Sequence, residues 1–304
     1  MSIFICTINQ KGGVGKSTLS FDIAAAVAEN ESKAILLIDL DPQGHSTEGI
    51  GLKDFWVRKD IPTLYDGLMS LNRINPQDLI QEVPGEKFFA IPSNFQMMEL
   101  DKDLNSARSR ETRLIDLLSV FKKAFDVIVI DSPSYFGNLT DNLIRSVGIP
   151  VDASEHLILD RDPVSNDLTQ DAKDMLRSGL VIPIQAEQTS VRASELLFNQ
   201  IDVVQVELKI KVNQLAIVPN LVQSSGLAQR ILGDFRTSLP DKITPFDIPK
   251  KVVFQEAYEL GRSIFTYEPK DSRKKADVAE MRQVYRDLIA LLHERGETYA
   301  AKYT

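Results

Sequence analysis

NQKGGVGKST, residues 9–18, is the stretch on which the fold turns. The common phosphate-binding loop is G-x-x-x-x-G-K-[ST]. Gly15, Lys16 and Ser17 supply its end, but Gln10 stands where the first glycine belongs, and a second lysine, Lys11, follows at once. The surroundings are those a phosphate loop needs. An apolar run, Ile3 to Ile8, precedes it, and STLSFDIAAAVAEN opens a helical pattern behind it. Glycines let the backbone approach phosphate oxygens, and a helix N-terminus aims unpaired N–H groups at an anion. Lys16 is then placed to reach the β- and γ-phosphates, and the Ser17 hydroxyl to ligate Mg2+. The alternative is a glycine-rich turn with adventitious lysines. Strand, loop, helix and G-K-S-T in register favour the nucleotide loop.

Five more apolar runs follow the first: Ala34–Asp39, Phe88–Pro92, Val127–Asp131, Leu180–Ile184 and Leu215–Pro219. They are continuous instead of alternating, as expected of parallel strands covered on both faces. The segments between them are mostly long enough for crossover helices. The pattern predicts an α/β protein with a doubly wound, mostly parallel sheet and helices on both faces. No Gly/Ser-rich linker interrupts it, so residues 1–304 read as a single domain.

Two regions stand apart. Residues 147–164, VGIPVDASEHLILDRDPV, break the rhythm between two weakly similar segments. They read as a surface insertion, with a strand-like excursion as the alternative. Near the end, residues 276–295 have a helical period, with Val278, Met281, Tyr285, Leu288, Ile289 and Leu292 on one face. That face suits packing on the sheet. Asp277, Glu280, Asp287 and Glu294 dilute Arg282 and Arg286, so a lipid-binding helix is weakly supported.

Composition bounds the function. The 304 residues carry ordinary apolar and charged fractions and a net charge of −8, which argues against a protein coated in positive charge. No run reaches the roughly 20 apolar residues of a membrane span. The start, MSIFICTINQ, reads as a strand, not a signal peptide. Cys6 is the single cysteine, and His45, His156 and His293 lack ligand spacing. A cytoplasmic protein is expected.

Acidic residues complete the site. LLIDLDPQGHST ends a strand with Asp39 and places Asp41 two residues on, and FDVIVIDSPS ends another with Asp131. Ligands of open α/β sheets sit outside the carboxyl ends of the strands, so these aspartates and the loop converge on one edge. An aspartate ending VIVID has the place of an Mg2+-organising carboxylate. A helix cap is the structural alternative for any one of them.

KGGVGKST, LLIDLDPQGHST and VIVIDSPS together resemble the ParA/Soj branch of the ParA/MinD deviant Walker A ATPases. The resemblance continues through IPSNFQMMELDKDL, LVIPIQAEQTSVRASELLFNQI and IPKKVVFQEAYELGRSIFTYEPKDSRKKADVAEMRQVYRDL, and covers the chain apart from 147–164. It implies a slow ATPase that uses ATP and Mg2+ and forms a nucleotide-sandwich homodimer. The loop residues Lys11, Gly12, Gly13, Val14, Gly15, Lys16, Ser17 and Thr18 would hold ATP. Lys11 would reach the partner subunit's phosphates while Lys16 serves its own. Asp41 would orient the attacking water, and Ser17, Asp39 and Asp131 would organise Mg2+. Asn220 and Pro249 match positions lining the adenine pocket. The family also binds duplex DNA nonspecifically and meets a ParB-like adaptor, which implies nucleoid association and segregation of a plasmid or chromosome locus. The DNA-binding candidates are Lys250, Lys251, Arg262, Lys270, Arg273, Lys274 and Lys275. Val253 stands where the family often has an arginine, which shifts the expectation to Lys250 and Lys251.

Other readings of the same fold are less well supplied. A MinD-like membrane-associated regulator wants a basic amphipathic tail, and HERGETYAAKYT has few large apolar residues. An ATP-dependent ligase or synthetase needs a substrate motif that does not stand out. An iron–sulfur reductase needs cysteine ligands beyond Cys6.

Overall fold

The computed structural model describes residues 2–30, 32–58 and 60–303. The first half runs β1 (Ile3–Thr7), α1 (Lys16–Ala28), β2 (Ile35–Asp39), α2 (His45–Gly49), α3 (Leu64–Ser70), β3 (Gln81–Glu82), β4 (Phe89–Ile91), α4 (Met97–Ser106), α5 (Arg113–Phe121) and β5 (Val127–Asp131). The second half runs α6 (Asn138–Ser146), β6 (Gly148–Pro150), α7 (Gln170–Arg177), β7 (Gly179–Ile184), α8 (Gln188–Leu208), β8 (Ile210–Val212) and β9 (Gln214–Val222). It ends with α9 (Gly226–Ser238), β10 (Ile248–Pro249), α10 (Val252–Glu259) and α11 (Ser272–Ala301).

All six apolar runs lie in strands of one sheet, ordered β10-β9-β7-β1-β5-β2-β4-β3. Its pairings are parallel except at the β3–β4 edge. The continuity of the runs has a direct cause. Successive side chains of a strand point to opposite faces, and both faces of this sheet are covered. Leu36, Ile38, Ile128 and Ile130 enter one core with α3–α6 and α8. Ile35, Leu37, Val127 and Val129 enter the other with α1, α10 and α11. Every residue of β2, β5 and β7 is therefore buried.

The stretch 147–164 has internal order. It opens with β6, which pairs antiparallel with β8. It then makes two short turns closed by the bridges Val151–Leu157 and Arg161–Leu168. Ile149, Leu168, Ala172 and Leu176 form a small third core, with Leu157 and Leu159 packed against it. Ala300, Tyr299 and Tyr303 seal that core. This explains why α11 runs on to Ala301, past the 276–295 face that packs on the sheet. The helix starts at Ser272 because Asp271 caps it, its carboxylate accepting from the N–H groups of Arg273 and Lys274. Among the described residues no helix is long and apolar enough to cross a membrane.

Candidate functional site

The sheet brings the expected residues to its carboxyl edge. Thr7, Asp131 and Asp39 end β1, β5 and β2 in lateral register. The loop after β1 leads into α1, whose N-cap Gly15 sits in the left-handed region at φ 80°. Gly13 is left-handed too, at φ 74°. A Cβ on Gly15 would stand 2.5 Å from Nδ2 of Asn220. That side chain donates to the carbonyl of Val14 at 2.8 Å, so Asn220 braces the glycine turn from the end of β9. Pro249 lies on the neighbouring strand, where β10 pairs with β9. Asn9 Nδ2 anchors the start of the loop on the Pro183 carbonyl at 2.7 Å. Gln185 Nε2 donates to the Gly13 carbonyl at 3.0 Å.

The two lysines are held differently. Lys16 is buried, and its Nζ donates to Ser134 Oγ at 2.7 Å. Ser134 Oγ donates in turn to Asp41 Oδ2 at 3.2 Å, which ties Lys16 to the carboxylate edge. Lys11 turns the other way, to the start of α8. Its Nζ lies 2.6 Å from Glu187 Oε2, 3.2 Å from Thr189 Oγ1 and 3.1 Å from Ser190 Oγ. One loop thus carries a lysine inside the site and a lysine at its rim.

The three carboxylates are at most 2% exposed. Asp39 Oδ2 accepts from the N–H and hydroxyl of Thr47, each at 2.7 Å. Asp131 Oδ2 accepts from Ser46 Oγ at 2.8 Å, and Oδ1 from Ser20 Oγ at 3.2 Å. The Ser17 hydroxyl also lies against Asp131. Asp41 Oδ1 accepts from the Gln43 N–H at 2.9 Å. Burial, and then the charge of nearby Asp131, pushes Asp39 well above the usual carboxylate range. Burial raises Asp131 as well, against the pull of Lys16. Two buried carboxyls side by side resist ionising together.

The residues present fit a nucleoside triphosphate with Mg2+. The N-terminus of α1 has no side-chain cap and no acidic residue in its first turn, so its N–H groups are left for an anion. A Cβ placed on Gly12 or Gly13 would meet nothing within 4 Å, so the mouth of the loop is open. A divalent cation beside Ser17, Asp39 and Asp131 would let both raised carboxyls ionise.

The basic candidates do not share one state. Lys250, Lys270, Arg273 and Lys275 are exposed. Lys251 instead pairs with Asp277 at 2.6 Å and Glu280 at 3.2 Å. Lys274 pairs with Glu256, and Arg262 donates to the Pro84 carbonyl at 2.7 Å. Of the two lysines that the sequence emphasised, Lys250 is exposed and Lys251 is held in ion pairs from α11.

Sequence reasoning passed over four residues that hold the lysines: Ser134, Glu187, Thr189 and Ser190. A signal was present. DSPS follows β5, and AEQTS follows β7 at the same carboxyl edge where the aspartates stand.

A family model described as an AAA domain matches residues 2–158. The sporulation initiation inhibitor protein Soj of Bacillus subtilis is 27% identical over 271 residues, covering 89% of this chain and 93% of Soj. The chromosome partitioning protein ParA of Myxococcus xanthus is 26% identical over 267 residues, covering 88% of this chain and 82% of that protein. Among solved structures, an McdA–ATP complex from Cyanothece shares the fold. Its TM-score is 0.72 at 17% identity, with 96% of each chain covered.

Proposed function

The chain belongs to this AAA-domain family, in its ParA/Soj-type deviant Walker A branch, and from that premise we propose that it is a partition ATPase. In this reading it hydrolyses ATP with Mg2+, forms a nucleotide-sandwich homodimer, coats nucleoid DNA without sequence preference, and is released when a ParB-like adaptor stimulates turnover. The observation that carries the reading is the pair of lysines on one loop, anchored in opposite directions.

Lys16 exchanges Ser134 for phosphate oxygens of its own subunit's nucleotide. Ser17, Asp39 and Asp131 would hold Mg2+, which would draw charge off the phosphates. Asp41, braced by Ser134 and the Gln43 amide, orients water for attack. Lys11 leaves Glu187 and engages the phosphates of the facing subunit. A lysine that serves a site only in trans makes association depend on nucleotide, because that charge has its counter-charge across the interface.

The test is Lys11→Ala. It should bind an ATP analogue as a monomer with little change, yet form no dimer by light scattering and show no stimulated hydrolysis. Normal dimers from this variant would overturn the reading. A parallel arm measures hydrolysis with duplex DNA and with liposomes. Stimulation by lipid alone would replace partitioning with a membrane-bound role.

A further inference from the structure

A cavity lies at the end of the molecule opposite the glycine loop. β8 leads into the amino end of β9, so the insertion that pairs with β8 sits at the sheet edge opposite Asp39 and Asp131. Between the insertion and the last turn of α11 is an open cavity of about 430 Å3. That volume is within the range of small-ligand sites.

Its walls combine two chemistries. Leu157 and Leu159 give an apolar side, and Tyr299 and Tyr303 an aromatic one. The two rings meet edge to face, 5.5 Å apart at 60°. Lys302 Nζ stands 5.8 Å from the centre of the Tyr299 ring. Arg161 and Lys211 supply positive charge, beside Glu155 in the lining and His156, whose Nδ1 lies 3.6 Å from the Asp152 carboxylate. Arg161 spends Nη1 on the Asn166 carbonyl at 2.9 Å, and its other donors have no partner among the described residues. Lys211 meets Glu155 at 3.0 Å, but this pair is 45% and 76% exposed, so little is lost when it opens.

Two other acids of the insertion are engaged by backbone amides. Asp152 accepts from the N–H groups of Ser154 and His156, at 2.8 and 3.0 Å. Asp162 accepts from those of Val164 and Ser165, both at 2.8 Å. These amides hold both carboxyls below the usual range, and neither residue lines the cavity. Within a chain of net charge −8, the cavity sets two cationic side chains, Arg161 and Lys211, beside two aromatic rings.

Rings stack on flat π-faces, and guanidinium forks match phosphate oxygens. We propose that this cavity binds a nucleotide, its base against Tyr299 and Tyr303 and its phosphate on Arg161 and Lys211. The nucleotide is either free or the end of a single strand. This is a site distinct from the glycine loop and independent of the partition reading. It is formed by the insertion and the end of α11, far from the sheet edge where Asp39 and Asp131 stand.

The test uses the full chain carrying Lys16→Ala, which keeps the glycine loop from contributing. Equilibrium dialysis measures adenosine 5′-monophosphate, and fluorescence anisotropy measures a labelled 5′-phosphorylated single-stranded hexanucleotide. One equivalent of either probe should bind. Arg161→Ala and Tyr303→Ala, added singly, should each weaken binding about tenfold or more, the scale of one stack or one charge-assisted contact. The urea midpoint of Arg161→Ala should stay put, since Arg161 is exposed. Tyr303→Ala should lower it because the ring packs on the small third core, so binding by that variant is compared under conditions where its unfolding curve shows the chain folded. Response to the mononucleotide identifies a free effector, and response to the strand alone a nucleic-acid end. No binding of either probe, or binding indifferent to both substitutions, overturns the proposal. So does competition by inorganic phosphate as strong as that by the mononucleotide, which would leave the rings no part. Residual binding at the glycine loop would be indifferent to Arg161 and Tyr303, so the two failures are told apart.

Discussion

Asp22 should make the stability of this protein fall as pH rises, and Asp22→Asn should remove that fall. The residue lies on α1, directly behind the glycine loop, and is fully buried. Its Oδ1 accepts from the Ile264 N–H at 2.9 Å. Its Oδ2 has no hydrogen-bond partner among the described residues, although the Tyr285 hydroxyl lies near it. Glu86 stands close by and grips the same turn, accepting from the Ser263 N–H at 2.8 Å. Burial, and to a lesser degree the charge of Glu86, pushes the Asp22 carboxyl well above its ordinary value of 3.8. The folded protein therefore keeps a proton that the unfolded chain releases. Between the unfolded and the folded pKa the native state binds one proton more, so stability decreases with pH by about 1.4 kcal/mol per unit. Above the folded pKa the slope vanishes, with the full penalty in place. Asparagine keeps the acceptor for Ile264, offers Glu86 or Tyr285 a donor, and does not titrate. Urea unfolding of both chains from pH 5 upward should give free energies that diverge in favour of Asp22→Asn, at about 1.4 kcal/mol per unit while the carboxyl stays protonated. Parallel curves across that range would refute the argument, as would divergence in the opposite sense.

Three further outcomes are expected. Lys16→Ala should weaken ATP binding about 10²-fold or more by calorimetry, because it removes charge-assisted hydrogen bonds worth about 1.5–3 kcal/mol each. Asp41→Ala should still bind ATP and dimerise but turn over slowly, accumulating dimer in light scattering, while full adaptor-stimulated turnover would contradict a water-orienting role. Charge reversal at Lys250, Arg273 and Lys275 should weaken binding to unrelated duplexes alike and flatten the salt dependence in fluorescence anisotropy, with ATP-driven dimerisation intact.

The sequence displayed the sheet because burial on both faces leaves no polar residue to interrupt a strand. Six runs could be read for that reason, and Asp39 and Asp131 could be read at the strand ends for the converse one: an acid closing an apolar run needs a purpose. The short strands β3, β6, β8 and β10 carry two or three residues each, too few for any period to register. The third core escaped notice because its parts are distant in sequence. Leu168 and Ala300 meet only once the insertion folds under the end of α11. The states of the basic residues escaped for a similar reason. Lys250 and Lys251 are adjacent in sequence, yet one is exposed and the other is gripped by Asp277 and Glu280 from α11.

The opening anomaly, a loop with one glycine too few and one lysine too many, has a physical basis in the anchors. Lys11, directly after Gln10, carries its side chain to the start of α8. The Lys11–Glu187 pair is 22% and 50% exposed. Pairs of that kind are worth about 0–1 kcal/mol, so a competing phosphate can take the lysine at little cost. Lys16 is the opposite case. It is 5% exposed, and its partner Ser134 is neutral. Asp131 lies near enough to feel its charge but makes no ion pair with it, so an incoming phosphate would give the ammonium a direct counter-charge. In the proposed partition mechanism the inner lysine would favour binding nucleotide at all, and the outer one, held at the rim, would be available to a second subunit that brings its own.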